Sequence, residues 1–355
     1  MMQNKLTVIN DIHVGVIRSA GTTPATAFAL RRWALAQLSD LLDQADDSDL
    51  LINGDLFDTE SIPYMDLLET HRLLREWFQR NPRSRLILPP GNHDLSKTTT
   101  TMSSQQFLTY LLQAEFGLRV DAPRKGEPIT VAGHAGWVIP HMPNQELFDL
   151  ELKKVPSVKY LFLHCNYDNN FAAQSDHSLN LSSAQADALP VDCIILGHEH
   201  QRSTHMGGKV CVIGNQFPTS VADCLGNADK YMALITSDKL ELIPTWEGAK
   251  SFQRVDWRDA LTVPPWVEFI RVEGQATAAE ATAAVNTITK LRKAHKAFVV
   301  TNAVQIEGRD DAEAHKVSLE SATNFDVIAA LLKRLEKKPN WVAKIKGLME
   351  KNDLS

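Results

Sequence analysis

Short apolar runs typical of buried β-strands recur over roughly the first 245 residues, and each run ends in a polar turn. Helices are predicted between the early runs, at about 26–46, 64–80 and 103–116. Strands that alternate with helices predict a layered α/β domain. The apolar runs lie at 6–9, 50–52, 86–88, 160–163 and 193–196.

The hydrophobic pattern changes after residue 248. Residues 249–265 are polar, contain a pair of prolines and show no long period, which predicts a linker. A small α/β domain is predicted at 266–320, and it separates from a main domain at 1–248. Its predicted elements are a strand at 267–272, a helix at 276–294 and a strand at 298–306.

A helical tail is predicted at 324–355. Apolar residues recur at helical spacing from Phe325 to Leu335 and again from Trp341 to Met349. Residues 325–351 carry seven Lys/Arg against three Asp/Glu. Two short basic amphipathic helices indicate partner binding, although such a pair is otherwise usually packed core.

The overall composition is that of an ordinary globular protein, with 44% hydrophobic and 23% charged residues in a chain of 355. This length allows one large domain with one or two smaller ones. No apolar run of about 18 residues occurs, and the first residues lead into a strand rather than a signal peptide. We therefore expect no membrane association and a cytoplasmic protein, in the host cytoplasm if a phage encodes it.

The net charge argues against one class of function, and the cysteine content indicates the state of the thiols. The formal charge of −6 argues against a general nucleic-acid coat. Carboxylates clustered in a metal site would contribute to this surplus, so the charge does not argue against DNA as a substrate. The four cysteines show no CxxC pairing, and we expect them to be reduced and mostly buried.

Two of the polar turns carry pairs of ligand-type side chains spaced two residues apart. Asp11 and His13 follow the first apolar run, and His198 and His200 follow the fifth. Side chains at this spacing on an extended segment point the same way. Carboxylate and imidazole groups suit a divalent transition metal, but each pair taken alone also fits a surface or capping role.

Three further turns carry the other four candidates. Asp55 follows Gly54, and its two oxygens can bridge two cations. Asn92 offers a neutral carbonyl oxygen, and the neighbouring His93 is free to act on a substrate as a donor. His164 follows the fourth run, where an isolated buried histidine is more often structural. Because ligands gather beyond the carboxyl ends of strands in open α/β sheets, we expect all five turns to meet at one rim.

The order of these clusters resembles that of the calcineurin-like metallophosphoesterases. The motifs are D-x-H at 11–13, GD-x-x-D at 54–58, GNHD at 91–94, a histidine at 164 and GH-x-H at 197–200. Together they span more than half of the chain. The resemblance implies a four-layer α-β-β-α sandwich, here with a small α/β capping domain and a C-terminal helical tail.

The resemblance also implies a role for each candidate residue. Two divalent metal ions would be held by two sets of ligands bridged by Asp55: Asp11, His13 and His200 in one, and Asn92, His164 and His198 in the other. His93 would contact the scissile phosphate and stabilise or protonate the leaving oxygen. Two such cations lower the pKa of a bridging water and neutralise charge on the attacking and departing oxygens. The mixed N/O ligand set favours Mn²⁺, with Fe or Zn possible in vitro.

Four features outside the metal ligands resemble the SbcD-like DNA repair nucleases, which include phage forms. The second cluster reads GDLFDTESIP, without the arginine of the protein Ser/Thr phosphatases. Residues 212–218 and 227–232 resemble the turn and hairpin after the last histidines, although 215–217 interrupt that turn. The small domain is similar to their DNA-capping domain, with an unrelated appended domain as the alternative. The tail is similar to the helices that bind their ATPase partner.

The resemblance thus implies a metal-dependent DNA exonuclease and endonuclease, the nuclease subunit of an SbcCD-like recombination and repair complex. Its expected partners are DNA and an SbcC-type SMC-like ATPase, which would bind the C-terminal helices. Homodimerisation through the helices at 64–80 and 103–116 is expected as well. The alternatives are a stand-alone phosphodiesterase or phosphatase for a nucleotide or other small phosphoester, and a non-catalytic scaffold, which the complete ligand set disfavours.

Overall fold

Two six-stranded β-sheets face each other at the centre of the computed structural model. The structure describes residues 5–16, 24–96, 98, 100–169, 178–226, 229–295 and 297–307. The predicted tail at 324–355 lies outside these residues, as does the end of the predicted small domain.

The first sheet combines four parallel strands with an antiparallel hairpin. Its strands in spatial order are β14 (Leu240–Trp246), β13 (Lys230–Thr236), β1 (Lys5–Ile9), β2 (Asp49–Ile52), β3 (Leu86–Ile87) and β4 (Val120–Asp121). Strands β1 to β4 run parallel, and β13 pairs antiparallel with both β1 and β14. The first three predicted strands therefore end at the same edge of one sheet.

The second sheet has four parallel strands at its centre and an antiparallel strand at each edge. Its strands in spatial order are β11 (Ser203–His205), β12 (Val210–Val212), β10 (Val191–Gly197), β7 (Val158–His164), β6 (His134–Ile139) and β5 (Glu127–Val131). The fourth and fifth predicted strands, β7 and β10, are parallel neighbours. The short strands β8 (Asn166–Tyr167) and β9 (Asn180–Leu181) pair with each other beyond the end of β7.

Helices cover the outer faces of both sheets. Helices α1 (Pro24–Gln44), α2 (Tyr64–Arg80) and α3 (Ser104–Phe116) pack on the first sheet, and α4 (Gln145–Leu152) and α5 (Ser183–Ala188) on the second. Between the sheets lies a separate core that includes Leu6, Val8, Phe162 and Ile195. The arrangement is the predicted four-layer α-β-β-α sandwich, which the structure confirms.

The helices begin and end where the local sequence requires. At the start of α3, Ser103 accepts a hydrogen bond from the backbone of Gln106, whose side chain accepts one from Ser103 in return. The helix ends at Gly117, which adopts a φ of 60°. The buried stripe of α3 includes Leu108 and Leu112, as its helical spacing predicts.

A small α/β unit follows the sandwich. Its parallel three-stranded sheet consists of β15 (Phe252–Asp256), β16 (Phe269–Glu273) and β18 (Val299–Asn302). Its other elements are α6 (Gly248–Ser251), β17 (Gln275–Ala276), α7 (Ala281–Ala294) and β19 (Gln305–Ile306). Helix α7 joins β16 to β18 and packs on their sheet, as the strand–helix–strand pattern predicts.

Strand β15 lies inside the segment 249–265, which the sequence pattern presents as a linker. It pairs with β16 along its whole length. Because β15 is an edge strand in which only Val255 is buried, it shows no alternation strong enough to predict a strand. The division of the chain into domains otherwise stays a prediction.

An aromatic cluster joins the small unit to the sandwich. The ring of Trp33 in α1 lies 5.3 Å from that of Phe217, 5.7 Å from that of Phe269 and 5.2 Å from that of Phe298. Phe269 is completely buried and belongs to the same apolar core as the outer helices. Since Phe269 and Phe298 come from the small unit, its sheet packs directly on the main domain.

Most cysteines lie inside the protein, and the described helices are not of the membrane-spanning type. Cys165, Cys211 and Cys224 are buried and Cys193 is half-buried, which confirms that most of the thiols are internal. Over the part of the chain that the structure describes, none of the helices combines the length and the apolar character needed to cross a membrane.

Candidate metal centre

Five loops meet at one rim of the sandwich, and they bring all eight candidate residues together. The loops after β1, β2 and β3 come from the first sheet, and those after β7 and β10 from the second. This convergence is the one expected from the carboxyl ends of parallel strands. The eight residues are Asp11, His13, Asp55, Asn92, His93, His164, His198 and His200.

One group at the rim consists of Asp11, His13 and His200, whose ligand atoms all lie within 4.8 Å of one another. The Nε2 atoms of the two histidines are 3.1 Å apart. Asp11 accepts a backbone hydrogen bond from His198 through Oδ2 at 3.0 Å. This leaves the Oδ1 atom of Asp11 turned toward the other candidate ligands.

A second group consists of Asp55, His164 and His198, whose ligand atoms also lie within 4.8 Å of one another. Asn92 joins it, because its Oδ1 atom lies 3.1 Å from His164 Nε2 and 3.0 Å from His198 Nδ1. His164 and His198 thus present different ring nitrogens toward the same amide oxygen. The sequence-predicted set of Asn92, His164 and His198 is therefore assembled in space.

Asp55 lies between the two groups. Its Oδ2 atom is 3.3 Å from His164 Nε2 and 4.0 Å from His13 Nε2, so one oxygen faces both. Its Oδ1 atom instead accepts a hydrogen bond from the backbone N–H of His93 at 2.9 Å. The sequence suggests a bridge through both oxygens, and the distances place Oδ2 near both groups.

The ring of His93 is held by a backbone carbonyl rather than by the candidate ligands. Its Nδ1 atom lies 2.7 Å from the carbonyl oxygen of Asp58, and because that oxygen can only accept, Nδ1 carries the proton. The ring stands edge-on to His13, with centroids 5.0 Å apart. His13, Asp58 and His93 also lie close enough to form a third potential metal group, so geometry alone allows His93 to be a donor or a ligand.

The backbone of the site adopts conformations that are unfavourable for residues other than glycine. Asp11, His13 and Asp55 have φ values of 52°, 49° and 51°, and His198 has a φ of 90°. Such conformations persist where the surrounding structure imposes them, and they cluster at functional sites. Four of the candidate ligands are therefore aimed by strained turns at the ends of β1, β2 and β10.

Two glycines allow the loops to approach each other. A Cβ atom at Gly54 would lie 2.2 Å from His164 Nδ1, and one at Gly91 would lie 2.1 Å from Asp55 Oδ1. Neither distance is compatible with a side chain. The glycines of the GD and GNHD motifs are thus required for contact between the loops.

Burial and mutual charge set the protonation of the metal-free site. Burial favours the neutral form of His164, but the carboxylates of Asp55 and Asp11 outweigh it and raise the pKa of His164 to about 9. Although burial alone would raise the pKa of Asp55, the charge of His164 holds it well below its usual value. Burial and then the charge of Asp55 raise the pKa of Asp94 to about 6.

The donor set fits divalent cations. In the described part of the chain, the Oδ1 atom of Asp11 is buried and has no hydrogen-bond partner. A buried carboxylate oxygen without a partner is costly unless a cation or water binds it. Imidazole nitrogens, carboxylate oxygens and one amide oxygen form the mixed ligand set expected for transition metals.

Several residues that support the site were not among the residues singled out from the sequence for a role at the metal centre. Asp94 accepts backbone hydrogen bonds from Gly91 and Phe57 and so ties two loops together. Asp223 accepts a hydrogen bond from His200, and Lys230 donates one to the His200 carbonyl. Only the motif position of Asp94 gives a hint, since Asp223 and Lys230 come from loops and strands beyond the last histidine motif.

His141 is a further neighbour of the site that its sequence position does not reveal. Its ring lies 6.3 Å from that of His164. Burial lowers the pKa of His141 to about 4, so the ring is neutral near pH 7. The histidine therefore adds no charge beside the candidate ligands.

The fold and the site together define a metal-dependent hydrolase of the layered α/β class. Comparison with family models agrees: the model of the calcineurin-like phosphoesterases matches residues 5–202. The match covers more than half of the chain and contains all eight candidate residues. The chain belongs to the calcineurin-like phosphoesterase family, which depends on two metal ions and hydrolyses phosphoesters.

Comparisons with curated proteins and with solved structures give no further information on function. No curated protein shows a significant match to the chain. Among solved structures, the chain is similar to a protein of unknown function from Aquifex aeolicus, with 16% identity, 56% of this chain and 80% of that chain covered, and a TM-score of 0.26. A similarity at this level carries no functional information.

Proposed function

We propose that this chain hydrolyses DNA phosphodiester bonds as the exonuclease and endonuclease subunit of an SbcCD-like recombination and repair complex in the cytoplasm. The family provides phosphoester hydrolysis. The observation that carries the choice of DNA is the small α/β unit, which packs on Trp33 of the main domain. A second surface joined to the main domain is useful for a long polymer and unnecessary for a small phosphoester.

The small unit is connected to the loop after β1 through a short series of contacts. Phe217 packs on Trp33, which also contacts Phe269 and Phe298 of the small unit. The preceding residue, Gln216, accepts a hydrogen bond from the backbone N–H of Asn10 at 2.7 Å. Asn10 immediately precedes the candidate ligand Asp11. The segment 216–217 therefore contacts the residue before Asp11 on one side and, through Trp33, the small unit on the other.

Two divalent metal ions would be held by the residues that the loops bring together. The two ligand sets share Asp55 and consist of Asp11, His13 and His200, and of Asn92, His164 and His198. When bound, the cations supply a water of lowered pKa and neutralise charge on the phosphate oxygens. We propose Mn²⁺ as the cation, because the set contains four histidines and no thiolate.

His93 would act on the leaving oxygen. Its Nδ1–H is already donated to the Asp58 carbonyl, so only Nε2 is free to face a substrate. Donation of a proton from Nε2 requires the doubly protonated ring, and the carbonyl of Asp58 stabilises the Nδ1–H of that form. His93 would thus hold the proton that the departing oxygen receives.

Homodimerisation is proposed through the exposed apolar face of α2 and α3. This dimer face consists of Tyr64, Met65, Leu68, Phe107 and Tyr110, all of which are exposed in the chain as described. Large exposed apolar patches mark interaction sites. The ATPase partner is proposed to bind the tail at 324–355, whose helices are a prediction from the sequence, because this segment lies outside the described residues.

A stand-alone phosphodiesterase or phosphatase is the second candidate. The metal centre by itself suits a small phosphoester as well as DNA, because the ions that its ligands would hold contact only the phosphate and the attacking water. The ligand set does not select between the two substrates.

The experiment compares the two substrate classes directly. Purified full-length protein with Mn²⁺ is incubated with end-labelled double-stranded DNA, with and without the ATPase, and in parallel with a cyclic nucleotide. We expect degradation of the DNA, and stimulation by the ATPase. A His93→Ala preparation purified in the same way controls for contaminating nucleases. Rapid turnover of the cyclic nucleotide without any DNA degradation would rule out the nuclease.

A further inference from the structure

His200 and His164, one histidine from each proposed metal-binding group, differ in what lies behind their rings. The Nδ1 atom of His200 donates to Oδ1 of Asp223 over 2.9 Å. The Nδ1 atom of His164 instead donates to the backbone carbonyl of Asn53, also over 2.9 Å. One ring is therefore supported by a carboxylate and the other by a neutral oxygen.

These contacts fix which nitrogen of His200 can bind a metal ion. A carboxylate only accepts hydrogen bonds, so Nδ1 of His200 carries a proton. The lone pair then lies on Nε2, the atom that is 3.1 Å from Nε2 of His13. His13 has a carboxylate behind it as well, because its Nδ1 atom lies 3.5 Å from Oδ1 of Asp58.

Asp223 is held in place independently of His200. Its second oxygen, Oδ2, accepts hydrogen bonds from the backbone and hydroxyl of Thr219, at 2.8 and 3.1 Å, and from the backbone of Ser220 at 2.9 Å. Only 4% of Asp223 is exposed. Three donors to one buried oxygen compensate its charge and prevent the carboxylate from turning away.

The main chain of His200 is fixed from the other side. Lys230, which is almost completely buried, donates from Nζ to the His200 carbonyl at 3.1 Å. Gln201 donates to the backbone oxygen of Asp223 at 3.1 Å. Both the ring and the backbone of His200 are thereby held in one arrangement, whatever occupies the site.

We propose that Asp223 is a positioning residue that makes the subsite of Asp11, His13 and His200 the tighter of the two metal subsites. A carboxylate behind a ligand imidazole fixes its tautomer and raises its basicity, and losing such a partner typically weakens metal binding by about 10- to 100-fold. The inference rests on the metal-ligand roles proposed above. It does not depend on whether the substrate is DNA.

The test is a calorimetric titration of the chelator-treated full-length protein with Mn²⁺. The wild-type protein should bind two ions in two distinguishable steps. Asp223→Asn should weaken the tighter step by about 10- to 100-fold and leave the weaker step within about twofold. Asp256→Asn is the matched control, because it makes the same change at a carboxylate of the small unit, which accepts from the Arg258 backbone at 2.9 Å, and it should leave both steps within about twofold.

A second pair of variants tests the ranking of the subsites without altering Asp223. His200→Gln should abolish the tighter step, and His164→Gln the weaker one. The reverse assignment would overturn the proposal, as would equal weakening of both steps, or no change, in a folded Asp223→Asn protein. A wild-type protein that binds no Mn²⁺ would instead contradict the proposed function itself.

Discussion

Individual side chains at the rim are constrained to different degrees by their neighbours. Asp11, Asp55 and His200 each have one side-chain atom occupied by a protein hydrogen bond and another directed into the site. His93 is held through Nδ1 by a carbonyl that belongs to no proposed ligand. The residues of the site can therefore be separated experimentally into those that hold metal and those that act on substrate.

His93→Ala is expected to lower kcat for a chromogenic phosphodiester by about 10²- to 10⁴-fold, because it removes the proton donor. The bound Mn²⁺, measured by elemental analysis, should stay near the wild-type amount. His200→Ala is the comparison, and it should lose metal. Loss of metal from His93→Ala would place His93 with His13 and Asp58 as a ligand instead.

Protonation of His164 should make metal binding depend on pH. Because its pKa is raised from 6.5 to about 9 in the metal-free fold, its proton stabilises that fold fully below pH 6.5, and this contribution is lost as the pH rises through about 9. A metal ion must displace the proton. Apparent Mn²⁺ affinity should thus rise with pH up to about 9, by about tenfold per pH unit for each proton displaced.

Calorimetry in buffers of different ionisation enthalpy measures this proton release directly. We expect at least one proton released at pH 7. His134→Asn is a suitable control, because His134 begins β6 at the opposite end of the second sheet. Binding of Mn²⁺ to the wild-type protein without proton release would show that His164 is neutral before the metal arrives.

Sequence motifs identify the candidate ligands but not the residues that orient them. Asp11, Asp55 and His164 follow strand-like runs, and strand ends of parallel sheets meet at one edge. Asp223 follows no such run, and its contact with His200 depends on the turn that begins at Thr219. A carboxylate that acts through a tertiary contact leaves no pattern in the chain.

Among the elements of the main domain, five strands and three helices were predictable from their apolar runs, namely β1, β2, β3, β7 and β10 and α1 to α3. Helix α2 occupies Tyr64–Arg80, the range that the sequence predicts. Strand β15 was not predictable, since an edge strand buries too few residues to show a period. The contact between the small unit and the sandwich was not predictable either, because aromatic residues far apart in sequence form it.

The aromatic cluster should contribute strongly to stability. Phe269→Ala removes a completely buried ring from the contact with Trp33, and we expect the free energy of unfolding to fall by about 3–5 kcal/mol. Urea denaturation followed by circular dichroism measures the change. Trp266→Ala, at a residue that is 70% exposed, should change it by no more than about 0.5 kcal/mol. Similar effects of the two substitutions would contradict the packing described.

The proposed dimer face on α2 and α3 can be tested by substitution with charged residues. Leu68→Glu combined with Tyr110→Glu places charges in the proposed contact and should convert a dimer to a monomer in sedimentation experiments. Leu150→Glu, on α4 at the opposite outer layer, should leave the dimer intact. A wild-type protein that sediments as a monomer at micromolar concentration would rule out this interface.

At the scale of the whole molecule, the metal centre joins the two sheets. Asp11, His13, Asp55 and Asn92 follow strands of the first sheet, whereas His164, His198 and His200 follow strands of the second. Ions bound by both sets stabilise only the assembled sandwich. Chelation should therefore lower Tm and increase hydrogen exchange in β1 and β10, and Mn²⁺ should reverse both changes. An unchanged Tm after verified metal removal would contradict this.

The division of the ligands between the sheets also affects when the site can form during synthesis. His13 and His200 are 187 positions apart in the chain, yet their Nε2 atoms lie 3.1 Å apart. A nascent chain that ends before β10 contains the first sheet's four ligands but lacks the last two histidines. Such a chain lacks His200 and therefore part of the ligand set of Asp11, His13 and His200. We expect high-affinity metal binding only after the second half of the sandwich has been synthesised.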